Sequence, residues 1–168
     1  FKTEDRYCEN CKNISFLSDE VPMIKDNFKQ IFSAQTAYQI TSILEGATKR
    51  GTAKKLKDLN LDLAGKTGTT NKNTDTWFIG YTSNLVVGVY IGYDNPRSLG
   101  RFETGSKTAM PVFKDFIKNT ANTYNARPFK VAYNIKMMVI DANTGKKADS
   151  RTKNLIIESF KKIDNKSN

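Results

Sequence analysis

Three short segments between residues 63 and 93 constrain the fold of this chain more than any other feature. Residues 76–82 ("TWFIGYT") and 85–93 ("LVVGVYIGY") are dense in β-branched and aromatic residues, and Ser83-Asn84 leaves room only for a tight turn between them. The two must therefore pair as an antiparallel hairpin. Residues 63–69 form a third strand candidate, joined to the hairpin by a polar turn. The segment 85–93 is apolar on both faces, which predicts a strand in the middle of a covered sheet. Gly80, Gly88 and Gly92 predict that another element packs closely on the hairpin.

Helical patterns flank this core. Ser33 suits an N-cap, and Ala37, Ile40, Leu44 and Ala47 fall on one face at helical spacing. Lys49 and Arg50 suit the negative end of that helix, and Gly51 its C′ position. Residues 54–62 form a polar connection. A second helix begins near Pro111, with Phe113, Phe116 and Ile117 as its buried stripe. Helix, three antiparallel strands and helix predict an α+β fold, an antiparallel sheet flanked by helices. Residues 1–30 are polar, contain Pro22 and predict an irregular connecting segment, mostly loop; residues 31–122 form the domain. From 123 to 168 an extension is expected. In it Val131, Tyr133, Ile135, Met137 and Val139 alternate, residues 141–145 turn, and a small hairpin, the apolar patch 155–157 and a basic tail follow.

Charge and residue usage narrow the chemistry. Lys and Arg number 27 against 17 Asp and Glu, a formal charge of +10. Such an excess suits anionic partners or a solvated lysine surface, and the lysines are scattered apart from Lys146-Lys147 and Lys161-Lys162. Histidine is absent, which removes Ser-His-Asp and Cys-His catalysis and most zinc chemistry. No metal site and no cofactor are expected. Cys8 and Cys11 form a lone C-x-x-C, either a small disulfide-closed loop or two inert thiols. No segment is long and apolar enough to span a membrane. The chain opens on Phe1 without a leader pattern, so a piece of a longer protein is expected.

The unusual stretch is residues 63–70, "LAGKTGTT". Glycine weakens a strand, so Gly65 and Gly68 beside Lys66 predict a backbone that something approaches closely. Gly68 would let an extended peptide lie along the strand as an added one. Thr67, Thr69 and Thr70 offer hydroxyls to a carboxylate, and Lys66 a fixed positive charge. At ~4 Å and an effective dielectric of about 20, that attraction is of order 4 kcal/mol before desolvation is subtracted. A phosphate-cradling loop of the form G-x-x-x-x-G-K-[ST] does not fit, because Gly65 stands directly before Lys66.

K-T-G is one of three elements of serine β-lactamases and penicillin-binding proteins, with S-x-x-K and S-D-N. Residues 35–118 resemble the transpeptidase domain of class A penicillin-binding proteins of the 1A type. The resemblance rests on a helix leading to Gly51-Thr-Ala53, on Gly65-Lys-Thr-Gly-Thr-Thr70, on Asp75-x-Trp77-Phe78-x-Gly80-Tyr81, on Gly92-Tyr-Asp94 and on "TGSKTAMPVFKDFI". It implies a β-lactamase-like transpeptidase fold lacking its N-terminal half. It further implies a serine acyl transfer that cross-links peptidoglycan stem peptides, with β-lactams entering as substrate mimics. Lys66 would be catalytic, holding the substrate carboxylate and joining the proton network. Thr67, Gly68, Thr69 and Thr70 would bind substrate, and the Thr69 N–H would complete an oxyanion hole. Asp75, Trp77 and Phe78 are read as packing of the second strand. Partners implied are stem peptides, the lipid-linked precursor, β-lactam antibiotics and the rest of a parent chain with an upstream glycosyltransferase domain. The place implied is the periplasmic face of a bacterial inner membrane, and no nucleic acid is expected.

The nucleophile motif does not precede Lys66. S-x-x-K occurs at Ser150–Lys153 and Ser159–Lys162, both downstream in a polar region, and both are read as chance; S-x-N is absent and Tyr93-Asp94-Asn95 is read as a turn. The fragment by itself is therefore expected to be inactive. Two other functions compete: a non-catalytic basic module that binds anionic glycan, lipid or nucleic acid, and a stand-alone β-lactamase or carboxypeptidase. The latter would need a serine motif ahead of Lys66.

Overall fold

Phe78 and Phe113, both fully buried, meet with ring centroids 4.7 Å apart, and the layers of the fold are arranged around that contact. The computed structural model describes residues 6–8, 24–26, 29–124 and 127–162. The chain divides into two compact units, Phe1–Ser33 and Ala34–Asn168.

In the first unit β1 (Arg6–Cys8) pairs antiparallel with β2 (Ile24–Asp26), Arg6 opposite Asp26. Residues 1–30 were expected to be mostly loop; these two strands of three residues are too short for period-2 patterning to register, and most of the remainder lies outside the described residues. Cys11, and with it the disulfide-or-thiol question, lies outside the described residues.

The second unit begins with α1 (Ala34–Lys49), followed by a 3-10 helix at Lys54–Leu59. Then come β3 (Ala64–Thr69), β4 (Asp75–Tyr81) and β5 (Val86–Gly92), an antiparallel sheet in the order β3-β4-β5. Next are α2 (Ala109–Tyr124) and the hairpin of β6 (Ile135–Asp141) and β7 (Leu155–Lys161). The α+β class and the antiparallel sheet between helices are as expected. The first face of the sheet, carrying Phe78 and the partly buried Val87, Val89 and Ile91, packs on Ala109, Met110, Phe113 and Ile117 of α2.

Four details differ from expectation. Among the described residues the strand 85–93 pairs with β4 alone, and α2 covers one of its faces; Val86 and Tyr90 on the other are exposed. In α2 the buried stripe is Met110, Phe113 and Ile117, while Phe116 is 41% exposed. Phe113 and Ile117 hold their expected places; Phe116 is beside the stripe, and Met110, one turn before Phe113, completes it. Helix α1 turns Thr41 and Thr48, not Ile40, toward the sheet. The Thr48 hydroxyl donates to the Leu63 carbonyl, and the Thr41 and Tyr81 hydroxyls lie 3.1 Å apart. Small hydroxyl residues let the helix approach β3 closely while satisfying its polar atoms, and Ile40 and Ile43 stay exposed. The polar connection contains the 3-10 helix, whose Leu56 plugs the core among lysines.

The C-terminal hairpin pairs Val139 with Ile157, so the apolar patch is its second strand rather than a sequel to it. The turn at 141–145 forms as expected: Asn143 N–H donates to Asp141 Oδ1 at 2.8 Å and Gly145 has φ +71. The hairpin docks on α1 through Gln39 Nε2, which donates to the Ser159 carbonyl at 3.1 Å, and through the ion pair of Arg50 with Glu158.

Close layering makes Gly80 irreplaceable. A Cβ there would lie 2.6 Å from a Phe113 ring carbon and 2.7 Å from one of Phe78, whereas at Gly88 the nearest atom is 3.9 Å away. Gly80→Ala is therefore expected to destabilise the fold by about 1–3 kcal/mol. Gly88→Ala is expected to change it by less than about 1 kcal/mol. Denaturant unfolding of the two variants, side by side, checks the contrast.

Candidate functional site

Strand pairing decides what Lys66 and its neighbours can touch. In the register, Lys66 stands opposite Ile79, Gly68 opposite Trp77 and Thr69 opposite Thr76. The Thr70 N–H donates to the Asp75 carbonyl at 3.0 Å, which makes that pair hydrogen-bonded. Because such pairs alternate along an antiparallel ladder, Gly68 and Lys66 also direct their backbone groups at β4. The backbone N–H and C=O of Thr67 and Thr69 then point the other way, to an edge that carries no strand among the described residues. That edge is a template for an extended peptide.

Side chains alternate across the same strand. Lys66 and Gly68 share the face of Trp77, Ile79 and Tyr90, which are 43%, 49% and 50% exposed. Thr67 and Thr69 lie on the α2 side. An edge strand lets both sets bend around to one ligand. The Lys66 ammonium donates to the Thr67 carbonyl at 2.8 Å and reaches its hydroxyl at 3.4 Å. The Thr67 hydroxyl is also 3.5 Å from that of Thr52, in the segment after α1. No carboxylate of the described residues pairs with Lys66. The charge is thus free to meet an anion. Among the described residues no group of His, Cys, Asp and Glu is placed to hold a metal.

Thr69 and Thr70 separate in role. The Thr69 hydroxyl accepts the Gly105 N–H at 3.1 Å. The Thr70 hydroxyl is taken up by the turn: it accepts the Asp75 N–H at 2.8 Å and lies 2.8 Å from the Thr74 hydroxyl. Asp75, read from sequence as packing, closes this turn. Its Oδ2 accepts the Thr74 hydroxyl at 3.0 Å and its Oδ1 the Tyr90 hydroxyl at 2.8 Å. Trp77 leans on Tyr90, centroids 4.8 Å apart, and Phe78 belongs to the core. Behind the turn, Asn73 Nδ2 donates to the Gly100 and Arg101 carbonyls, both at 2.9 Å, and Leu99 N–H donates to the Asn73 carbonyl at 2.8 Å. The loop after β5 is stitched to the end of β3.

Sequence reasoning missed Asn73 and Gly105. Asn73 has a signal, a residue tolerant of positive φ (here +52) in a tight turn. Gly105 has none locally, since its partner lies 36 residues away. The two S-x-x-K matches fall on the C-terminal hairpin: Ser150 and Lys153 in its connecting loop, and the buried Ser159 within β7, so neither opens a helix. Tyr93 lies under the Arg97 guanidinium, 3.9 Å from its ring centroid, just after β5.

Comparison with known proteins places these features in one group. The family described as penicillin binding protein transpeptidase domain matches residues 20–118. Penicillin-binding protein 1A of Rickettsia bellii is 40% identical over 165 residues, covering 96% of this chain and 20% of the relative. The protein of the same name from Pseudomonas aeruginosa is 38% identical over 137 residues. The crystal structure of penicillin-binding protein 1A from Haemophilus influenzae superposes with a TM-score of 0.67 at 32% identity, covering 77% of this chain and 20% of that one. The chain thus spans about a fifth of the length of the relatives it matches.

Donation to Asp75 raises the Tyr90 pKa above 10.0, because the bond exists only while the phenol keeps its proton. The stability this contact supplies is present through neutral pH and is lost as pH climbs through the raised value. Asp75→Asn is expected to return the Tyr90 pKa toward 10.0, read as the phenolate absorbance difference against Tyr90→Phe. An unchanged midpoint would remove Asp75 as the cause.

Proposed function

The chain belongs to the penicillin-binding protein transpeptidase family, as part of a class A penicillin-binding protein, and from that premise we propose that its β3 edge is one wall of a peptidoglycan D,D-transpeptidase site. The observation that carries the reading is the outward direction of the Thr67 and Thr69 backbone groups beside an unpaired Lys66. A D-alanyl-D-alanine end laid along that edge puts its terminal carboxylate among the Thr67 and Thr69 hydroxyls and the Lys66 ammonium.

The chemistry follows from that pose. A serine supplied from outside these residues attacks the penultimate D-alanine carbonyl. The Thr69 N–H, pointing off the edge, donates to the oxyanion as the tetrahedral centre forms; one such donor is worth about 3–4 kcal/mol in other enzymes. The carbon–nitrogen bond breaks, terminal D-alanine leaves with a proton, and an acyl-enzyme remains. The amine of a neighbouring stem peptide then attacks the ester and releases the serine. Penicillins imitate the same end and stop at the acyl stage. Gly68 keeps the strand surface bare for this approach. No S-x-x-K precedes Lys66 in the 168 residues, which makes this chain an inactive part of the working site when alone. The protein that carries it would act on the lipid-linked precursor and its polymer at the periplasmic face of a bacterial inner membrane. No helix of the described residues is long and apolar enough to cross a membrane.

Covalent labelling with a fluorescent penicillin tests the proposal. The full-length protein is expected to label and this chain alone is not. Lys66→Ala in the full-length protein is expected to slow labelling by at least about tenfold, given the size of the lost charge interaction. Labelling of Lys66→Ala at the parental rate would contradict the role given to this strand.

A further inference from the structure

We propose that Gly105 is a positioning residue for Thr69, fixing its hydroxyl so that the proton is donated to the substrate carboxylate. The inference rests on the reading that Thr69 holds that carboxylate. A hydroxyl has one hydrogen to give and two lone pairs to receive with. The Gly105 N–H occupies one lone pair of Thr69 Oγ1 at 3.1 Å, so the hydrogen must point away from the Gly105 amide. No acceptor among the described residues takes it. The hydroxyl is thus left as a donor already aimed before a ligand arrives, which is how a preorganised site avoids reorganisation.

Only glycine can do this at position 105. A Cβ there would fall onto the Trp77 carbonyl oxygen and within 2.7 Å of the Gly68 carbonyl oxygen. The backbone of residue 105 lies flat across the β3–β4 pair, one residue from Thr69. It is also held from behind. The Gly105 carbonyl accepts the Met110 N–H at 2.8 Å, and the Thr108 hydroxyl is 2.6 Å from that of Thr76. On the other side Asn73 clamps the loop at Gly100 and Arg101. Gly105 therefore connects the first turn of α2 to the hydroxyl on the strand edge, and a shift of either moves the donor.

The test compares two probes in the full-length protein: a penicillin, and the same penicillin as its methyl ester, which lacks the charged carboxylate. Gly105→Ala is expected to slow acylation by the penicillin about tenfold. Acylation by the ester is expected to change by less than about twofold. Asn73→Gly loosens the loop without adding an atom at 105 and without strain at a positive φ. It is expected to show the same selectivity to a smaller degree, and it serves if Gly105→Ala does not fold. Equal slowing on both probes, in whichever variant folds, would overturn the inference, as would no slowing on either. Thr69→Val separates the two levels. If it slows the penicillin and the Gly105 and Asn73 variants do not, the inference falls and the carboxylate reading stands. If Thr69→Val leaves the penicillin rate unchanged, both fall.

Discussion

Among the described residues β3 pairs with β4 alone, and that one-sided pairing is the constraint from which the rest of the site follows. Lys66 opposite Ile79 sets the parity of the ladder, and the parity sends the Thr67 and Thr69 backbone groups outward. A slip of one residue would exchange every role: the N–H of Gly68 would face the edge, and Lys66 would turn into the layer of Phe78 and Phe113. Several devices hold the register. The Thr70–Asp75 turn closes one end through backbone and hydroxyl bonds, and α1 grips the other through the Leu63 carbonyl. Burial of Phe78 on α2 fixes the face in between.

Those devices link the core to the chemistry. Gly80 lets α2 seat closely on the sheet, the segment leading into α2 carries Gly105 and Thr108, and these meet Thr69 at the end of β3 and Thr76 near the start of β4. The segment that leads into the core-completing helix thereby hydrogen-bonds a hydroxyl 36 residues away in sequence. On the opposite face α1 covers the Ala64–Tyr81 end, while Trp77, Ile79 and Tyr90 around Lys66 stay half exposed.

Much of this was legible in the sequence. The three strands follow from the hairpin turn and from β-branched density, both short-range signals. The K-T-G strand is recognisable because glycines flank a lysine where a strand should be apolar. What sequence could not give is which side of an element finds a partner. Residues 85–93 are apolar on both faces, yet among the described residues Val86 and Tyr90 on one face have no cover, since apolar content does not say how many layers lie against a strand. In α2 Phe113 and Ile117 are buried as expected while Phe116 yields its place to Met110, and α1 turns Thr41 and Thr48 to the sheet where Ile40 was expected. Leu56 and Leu59 are spaced i, i+3 in a lysine-rich segment too short and too polar for that spacing to stand out. Asp75 and Gly105 matter through contacts made at a distance, and these are properties of the fold rather than of any window of sequence.

The most direct measurement is a crystal structure of the full-length protein acylated by a penicillin. The carboxylate of the bound drug should lie within hydrogen-bond reach of the Thr67 and Thr69 hydroxyls and beside the Lys66 ammonium, with the acyl oxygen on the Thr69 N–H. A drug whose carboxylate is held by other residues, with the β3 edge unoccupied, would contradict the assignment of this strand as the substrate wall.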